Sequence, residues 1–213
     1  MVFTFFVFFV GRIGPTEGAT SSAVFSINML AFMPMIGIGI AVSILVGQYL
    51  GAEKPELAQT SAYSGFHMTM FYMTSIAAAY VLVPDIFIAP FAMKADPEAF
   101  KEVYDFSIIL LRFVAIYSLF DTLNIIFSSA IKGAGDTRFV MFMTSGLSLF
   151  VLVIPTYLAV MVFEYGLVLT WGIATAYVIL IGIAFFLRFL NGKWKTMRVI
   201  EPTLPADIST PLQ

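Results

Sequence analysis

Long apolar runs broken by short polar clusters dominate this chain. Residues 23–50, 58–90, 104–131, 139–163 and 167–190 are each predominantly apolar. At 1.5 Å per helical residue, each is long enough to cross a hydrocarbon core about 30 Å thick. A sixth run, residues 1–11, is half that length and reads as the second half of a spanning helix. Between the runs lie predicted connections at 11–22, 51–56, 91–103, 132–138 and 164–166. Pro55 suits the first helical position of the run that follows it, because its missing N–H would find no partner there anyway. Gly133 and Gly135 predict the end of one helix, with Asp136 or Thr137 capping the next. Pro34 and Gly37 sit in the middle of the 23–50 run and predict a hinge, since proline removes a backbone donor. Residues 199–213 are polar and proline-containing, and read as a disordered tail after a helical unit spanning 1–198.

Composition sharpens this picture. Hydrophobic residues make up 60% of the chain and charged residues 11%, against roughly 45–50% and 25% for soluble domains. The predicted fold class is therefore an all-α polytopic membrane protein, with the lipid bilayer as its first partner. There is no cysteine and a single histidine, which excludes disulfides, thiol chemistry and histidine-based zinc motifs. Nothing resembles a basic nucleic-acid surface, and no nucleophile–base constellation points to an enzyme. No cofactor is expected.

Spans alternate sides, so the cationic residues sort into two groups. Lys54, Lys132, Arg138, Arg188, Lys193, Lys195 and Arg198 share one side, while Arg12, Lys94 and Lys101, with Arg112 if it snorkels outward, share the other. The excess predicts that the first side, with the C-terminus, is cytoplasmic. The expected location is the inner or plasma membrane.

Polar residues inside the spans carry the candidate chemistry. Asp121 lies several turns from either end of its run, where a carboxylate costs about 2.5–3.5 kcal/mol on insertion scales. Tyr117, Asp121, Asn124 and Ser128 are spaced 4, 3 and 4, which places them on one helix face. That face is predicted to line a bundle interior or a water-filled cavity. Tyr117, Asp121 and Asn124 are the candidate cation- and substrate-binding residues, with Asn28 as a second contributor from the 23–50 run. Ser128 fits packing better. Asp121 is the candidate switch between a proton and another cation. The alternative is that these groups only hydrogen-bond neighbouring helices. Arg112, seven residues after Asp105, is expected to snorkel or pair near the surface. His67 is expected to be a hydrogen-bonded structural residue.

Two stretches together resemble a known family. The first runs from Pro34-Met35-Ile36-Gly37-Ile38-Gly39 into Val46-Gly47-Gln48-Tyr49-Leu50-Gly51-Ala52. It is similar to the second helix of a lobe in the MATE (multidrug and toxic compound extrusion) family. The second pairs Tyr117-x-x-x-Asp121 with Lys132-Gly133-Ala134-Gly135-Asp136-Thr137. It is similar to the tenth helix of the NorM-like branch. The resemblance implies one six-helix lobe, helices seven to twelve with the first truncated, of a twelve-helix transporter. It implies exchange of Na+ or H+ for small organic cations and drugs, a cation site at Asp121 with Tyr117 nearby, and a missing N-terminal lobe as partner. An acidic residue that the branch supplies from early in helix seven has no counterpart in this sequence. Two other readings stay open: a membrane-embedded assembly subunit with no transport cycle, and a flippase for a lipid-linked polyanion. The flippase favours cationic residues in the cavity.

Overall fold

The structure is a computed structural model and describes residues 2–92 and 97–197. Among these residues it is helical with no strand. The helices are α1 Val2–Ile13, α2 Pro15–Gly51, α3 Pro55–Leu82, α4 Pro84–Ala92, α5 Pro97–Gly133, α6 Thr137–Val162 and α7 Leu167–Leu190. A 3₁₀ turn at Lys193–Thr196 follows. By length and composition α2, α5, α6 and α7 can each cross a membrane, and α3 with α4 forms a fifth, bent span. The tail at 199–213 lies outside the described residues.

Helix α5 is the axis of the bundle, packed against α2, α3 and α7, with α1 and α6 completing the far side. Its buried residues Leu110, Leu111, Val114, Ile126, Phe127 and Ile131 are fully enclosed. Close approach rests on glycine. A methyl group on Gly182 of α7 would fall 2.5 Å from the Phe120 carbonyl oxygen of α5. One on Gly133 of α5 would strike the Ser43 carbonyl of α2. Small residues at such contacts let helix backbones meet where lipid supplies no hydrophobic drive.

Three connections differ from the sequence reading. The polar stretch 11–22 is not a loop: α1 and α2 are joined by the extended Gly14 alone, and Pro15 opens α2. Two of its hydroxyls are satisfied within the helix, Thr20 donating to the Thr16 carbonyl and Ser22 to the Gly18 carbonyl, each at 2.8 Å. Helix formation thus leaves these two no unmet hydrogen bond, so polarity there does not mark a turn. The run 58–90 is broken. Pro84 disfavours helical geometry in the residue before it, Val83 adopts an extended φ of −137°, and the chain turns 81° from α3 into α4. In the 91–103 stretch the helix resumes at Pro97, so the polar residues from there on form the first turns of α5.

The glycine-rich turn after α5 has a defined geometry. Gly135 has a φ of 92°, its N–H bonds to the Lys132 carbonyl, and the Asp136 N–H bonds to the Ile131 carbonyl. This is a Schellman turn, which needs the left-handed conformation that glycine adopts freely. The turn after α2 repeats the pattern with Glu53, whose φ is 58°, in the glycine place. Asp136 stands at the N-cap of α6, yet its side chain makes no cap bond. Its carboxylate accepts instead from Nη2 of Arg188 at 2.6 Å and Nε at 3.0 Å. The same guanidinium lies 4.4 Å from the Phe139 ring centre. A charged donor outcompetes the backbone N–H for that carboxylate.

Pro155 interrupts α6. Proline cannot donate and presses on the carbonyl four residues back. The helix accommodates it by widening into π-helical turns at Ser148–Val153 and Leu158–Val162. Helix α2, by contrast, runs through Pro34 without a break, with Pro34 and Gly37 on its exposed face.

Candidate functional site

The polar face of α5 divides between two neighbours. Tyr117 is buried, and its hydroxyl accepts a hydrogen bond from Asn28 Nδ2 of α2 at 3.1 Å. One turn further on, Asp121 is 6% exposed, and its Oδ1 accepts from Asn124 Nδ2 at 2.6 Å. Gly182 of α7 packs on the Phe120 carbonyl and the Asn124 backbone at this level. The first pair therefore ties α5 to α2, and the second lies where α7 meets α5. Ser128 bonds only the Ile125 carbonyl of its own helix, as a packing residue does.

Asp121 has no ion-pair partner among the described residues. Nor do these residues contain any group of three His, Cys, Asp or Glu side chains able to hold a metal. Oxygen donors nonetheless gather at Tyr117, one turn along α5 from Asp121. Asn28 Oδ1 is buried with no hydrogen-bond partner, although a buried polar atom ordinarily has one. Tyr117 and Tyr177 both lie within electrostatic range of the Asp121 carboxylate. Carboxylate, amide and hydroxyl oxygens are the ligand types that hard cations take.

Asn28 and Tyr117 form part of the wall of a cleft of about 570 Å³. Its other walls are Thr4 and Val7 of α1 and Ser22, Phe25, Met29, Phe32 and Ile36 of α2. Apolar walls with a few placed polar groups, at this volume, match the general form of small-molecule sites. Trp171 braces one side of the region: its Nε1 donates to Ser21 Oγ at 3.1 Å, and its ring stacks on Phe25 at 5.0 Å.

The sequence reading missed Tyr177. Thr170, Ala174, Tyr177 and Ile181 of α7 are spaced 4, 3 and 4 and all are buried, so the same spacing argument reaches it. His67 is exposed and has no hydrogen bond among the described residues, contrary to the structural role expected of it. Of the two roles expected of Arg112, snorkelling or pairing, the pair with Asp105 is not formed among the described residues. The two residues are about 10 Å apart along the helix, since seven residues rise that far.

Comparison with known proteins agrees with this architecture. The MatE family model matches residues 1–159. A protein of Brucella suis described as "Probable multidrug resistance protein NorM" is 27% identical over 135 residues, 63% of this chain and 28% of that protein. Its counterpart in Thermotoga maritima, with the same description, is 25% identical over 176 residues, 82% of this chain and 36% of that protein. The chain thus spans about a third of the length of these curated relatives. Among solved structures, a transporter of the MOP superfamily from Pyrococcus furiosus superposes with a TM-score of 0.79 at 18% identity. That match covers 91% of this chain and 43% of the solved one. A multi-pass helical bundle of this shape, with three quarters of its length matched by one family model, belongs to the MatE family.

Proposed function

We propose that this chain is the C-terminal lobe, helices seven to twelve, of a secondary active transporter that exports small organic cations in exchange for Na+ or H+. The observation that carries the reading is Asp121: a buried carboxylate on the central helix with no cationic partner among the described residues. An ionisable group at such depth marks an ion or substrate path by default. In the charged state it attracts a cation to the cleft beside Asn28 and Tyr117. Na+ or H+ arriving from the other side of the membrane satisfies the carboxylate and releases the substrate. Each ligand shifts the lobe only by its difference in affinity between the two states. If Na+ is the coupling ion, Asp121, Tyr117 and Asn28 Oδ1 supply its oxygens.

The remaining elements follow from the same reading. The N-terminal lobe closes the cleft from the side that α1 and α2 leave open. Rocking of α2 takes place at Pro34 and Gly37, where a missing donor and a bare backbone soften the helix. The glycine-turn end, with its excess of Lys and Arg, faces the cytoplasm of a cell-membrane protein. In cells producing the whole transporter, Asp121→Asn abolishes cation-coupled efflux of a fluorescent organic cation while membrane abundance stays normal. Efflux that keeps its dependence on Na+ or pH in that variant refutes the assignment.

A further inference from the structure

A second cavity, of about 490 Å³, lies on the other face of α2. Ile27 and Ala31 of α2, Tyr72 and Tyr80 of α3, and Phe87 and Pro90 of α4 are among the residues that line it. The cleft beside Asn28 takes Ser22, Phe25, Met29 and Phe32 from the same stretch of α2. At 100° per residue the two sets point to opposite sides of that helix. The two linings share no residue. The third wall comes from the 81° turn out of α3, which brings Phe87 and Pro90 of α4 onto the same space.

Its chemistry differs from that of the cleft. The walls are mostly aliphatic and aromatic, and no Asp, Glu, Lys or Arg is among them. Tyr80 is buried, its ring meets Phe87 edge-on at 4.8 Å, and its hydroxyl donates to the Ile27 carbonyl at 3.5 Å. That distance is well beyond the usual 2.5–3.0 Å for a hydroxyl donor. Tyr72 is half-buried, and its hydroxyl has no hydrogen-bond partner among the described residues. It lies within electrostatic range of the Tyr80 hydroxyl. One long-bonded phenol and one unpaired phenol therefore come together at an apolar space walled by three helices.

A tyrosine hydroxyl turned away from bulk water ordinarily finds a partner. An occupant that meets this demand offers an acceptor to the hydroxyl and flat apolar surface to the rings. It is also uncharged, because a cation would give up its hydration with no carboxylate in the wall to replace it. An acyl chain supplies apolar surface but no acceptor. The volume falls in the range of small-molecule sites. We propose that the α2–α3–α4 cavity is a second small-molecule site, which takes a neutral aromatic compound bearing a carbonyl-type acceptor. It stands apart from the transport reading, since neither Asp121 nor Tyr117 lines it.

Benzophenone has two rings, one carbonyl and no charge, and under illumination it inserts into nearby C–H bonds. The full chain in lipid vesicles is titrated with benzophenone and illuminated, and the adducts are located by mass spectrometry. Adducts on the cavity residues of α2, α3 and α4 should saturate with concentration. Neutral benzanilide should displace them, and tetraphenylphosphonium should not. Tyr72→Phe removes the donor and should raise the half-saturating concentration about fivefold, the effect of one hydrogen bond. Labelling that never saturates and spreads over the lipid-facing residues overturns the proposal, with acyl chains as the occupant. Displacement by tetraphenylphosphonium as readily as by benzanilide also overturns it, because the site then takes cations. Both of those readings use the unsubstituted chain and do not depend on a variant's folding. An unchanged half-saturation in Tyr72→Phe overturns the role given to the Tyr72 hydroxyl.

Discussion

Substituting Gly182 with alanine adds one methyl group to α7 where it crosses α5. That carbon would sit 2.5 Å from the Phe120 carbonyl oxygen, 3.3 Å from its carbon and 3.5 Å from the Asn124 nitrogen. Ordinary contact begins near 3.4 Å, so the two helices must separate locally by about 0.9 Å. The obstacle is backbone, which cannot rotate aside as a side chain does. Overpacking of this kind costs about 1–3 kcal/mol. Gly172 lies on the same helix, ten residues earlier, with nothing within 4 Å of its added carbon. Gly172→Ala therefore makes the same chemical change without the contact, and stability should stay level or rise by up to about 1 kcal/mol, the helix preference of alanine over glycine. Reversible unfolding in mixed micelles, followed by the fluorescence of Trp171 and Trp194, measures both variants against the parent. A difference of at least about 1 kcal/mol between them is expected. Equal stabilities would show that α7 does not ride on the α5 backbone, and the reasoning about glycine contacts would fail with them.

Two further outcomes test the site and the turn beside it. Tyr117→Phe removes the acceptor of Asn28 Nδ2 and leaves that amide buried without its bond. Unfolding in the same assay should show a loss of about 1–2 kcal/mol. In the Arg188–Asp136 pair, side-chain exposures are 18% and 9%, so solvent screens the charges only in part. A double-mutant cycle of Arg188→Gln and Asp136→Asn should give a coupling of about 1–2 kcal/mol that falls little with added salt. The same cycle for Lys195 and the exposed Glu56 should give under about 0.5 kcal/mol.

The spans were legible because a hydrocarbon solvent imposes a length and a composition on whatever crosses it. Asp121 was legible for the same reason, as the one carboxylate deep in an apolar run. The spacing of Tyr117, Asp121 and Asn124 located the polar face of α5, and Asn28 proved to be the donor to Tyr117. The start of α2 was not legible. Thr16, Thr20, Ser21 and Ser22 look like a loop, but the helix satisfies the hydroxyls of Thr20 and Ser22 internally. Ser21 in addition accepts from Trp171, 150 residues away, a bond that no local pattern announces. The break at Val83 was signalled by Pro84, yet proline alone does not tell a kink from an 81° turn. Asp136 shows the opposite limit. Its position next to α6 fits a cap, and only the tertiary arrival of Arg188 takes its carboxylate elsewhere.

The location of Asp121 on α5, rather than on a peripheral helix, bears on how an ion could move the lobe. Asp121 bonds Asn124, and the Asn124 backbone is one of the atoms on which Gly182 rests. A change of charge at the carboxylate alters the pull on that amide, one turn along the same helix. The nearest rigid neighbour is then the backbone of α7, packed too closely to absorb a shift in its side chains. On the other side, Tyr117 links the same helix to α2 through Asn28, six residues before Pro34. Under the transport reading, binding at Asp121 has two short routes outward, through backbone contact to α7 and through one hydrogen bond to α2. The first is stiff and the second is a single bond. Under the transport reading, α2 is the element that moves against a fixed α5–α7 pair.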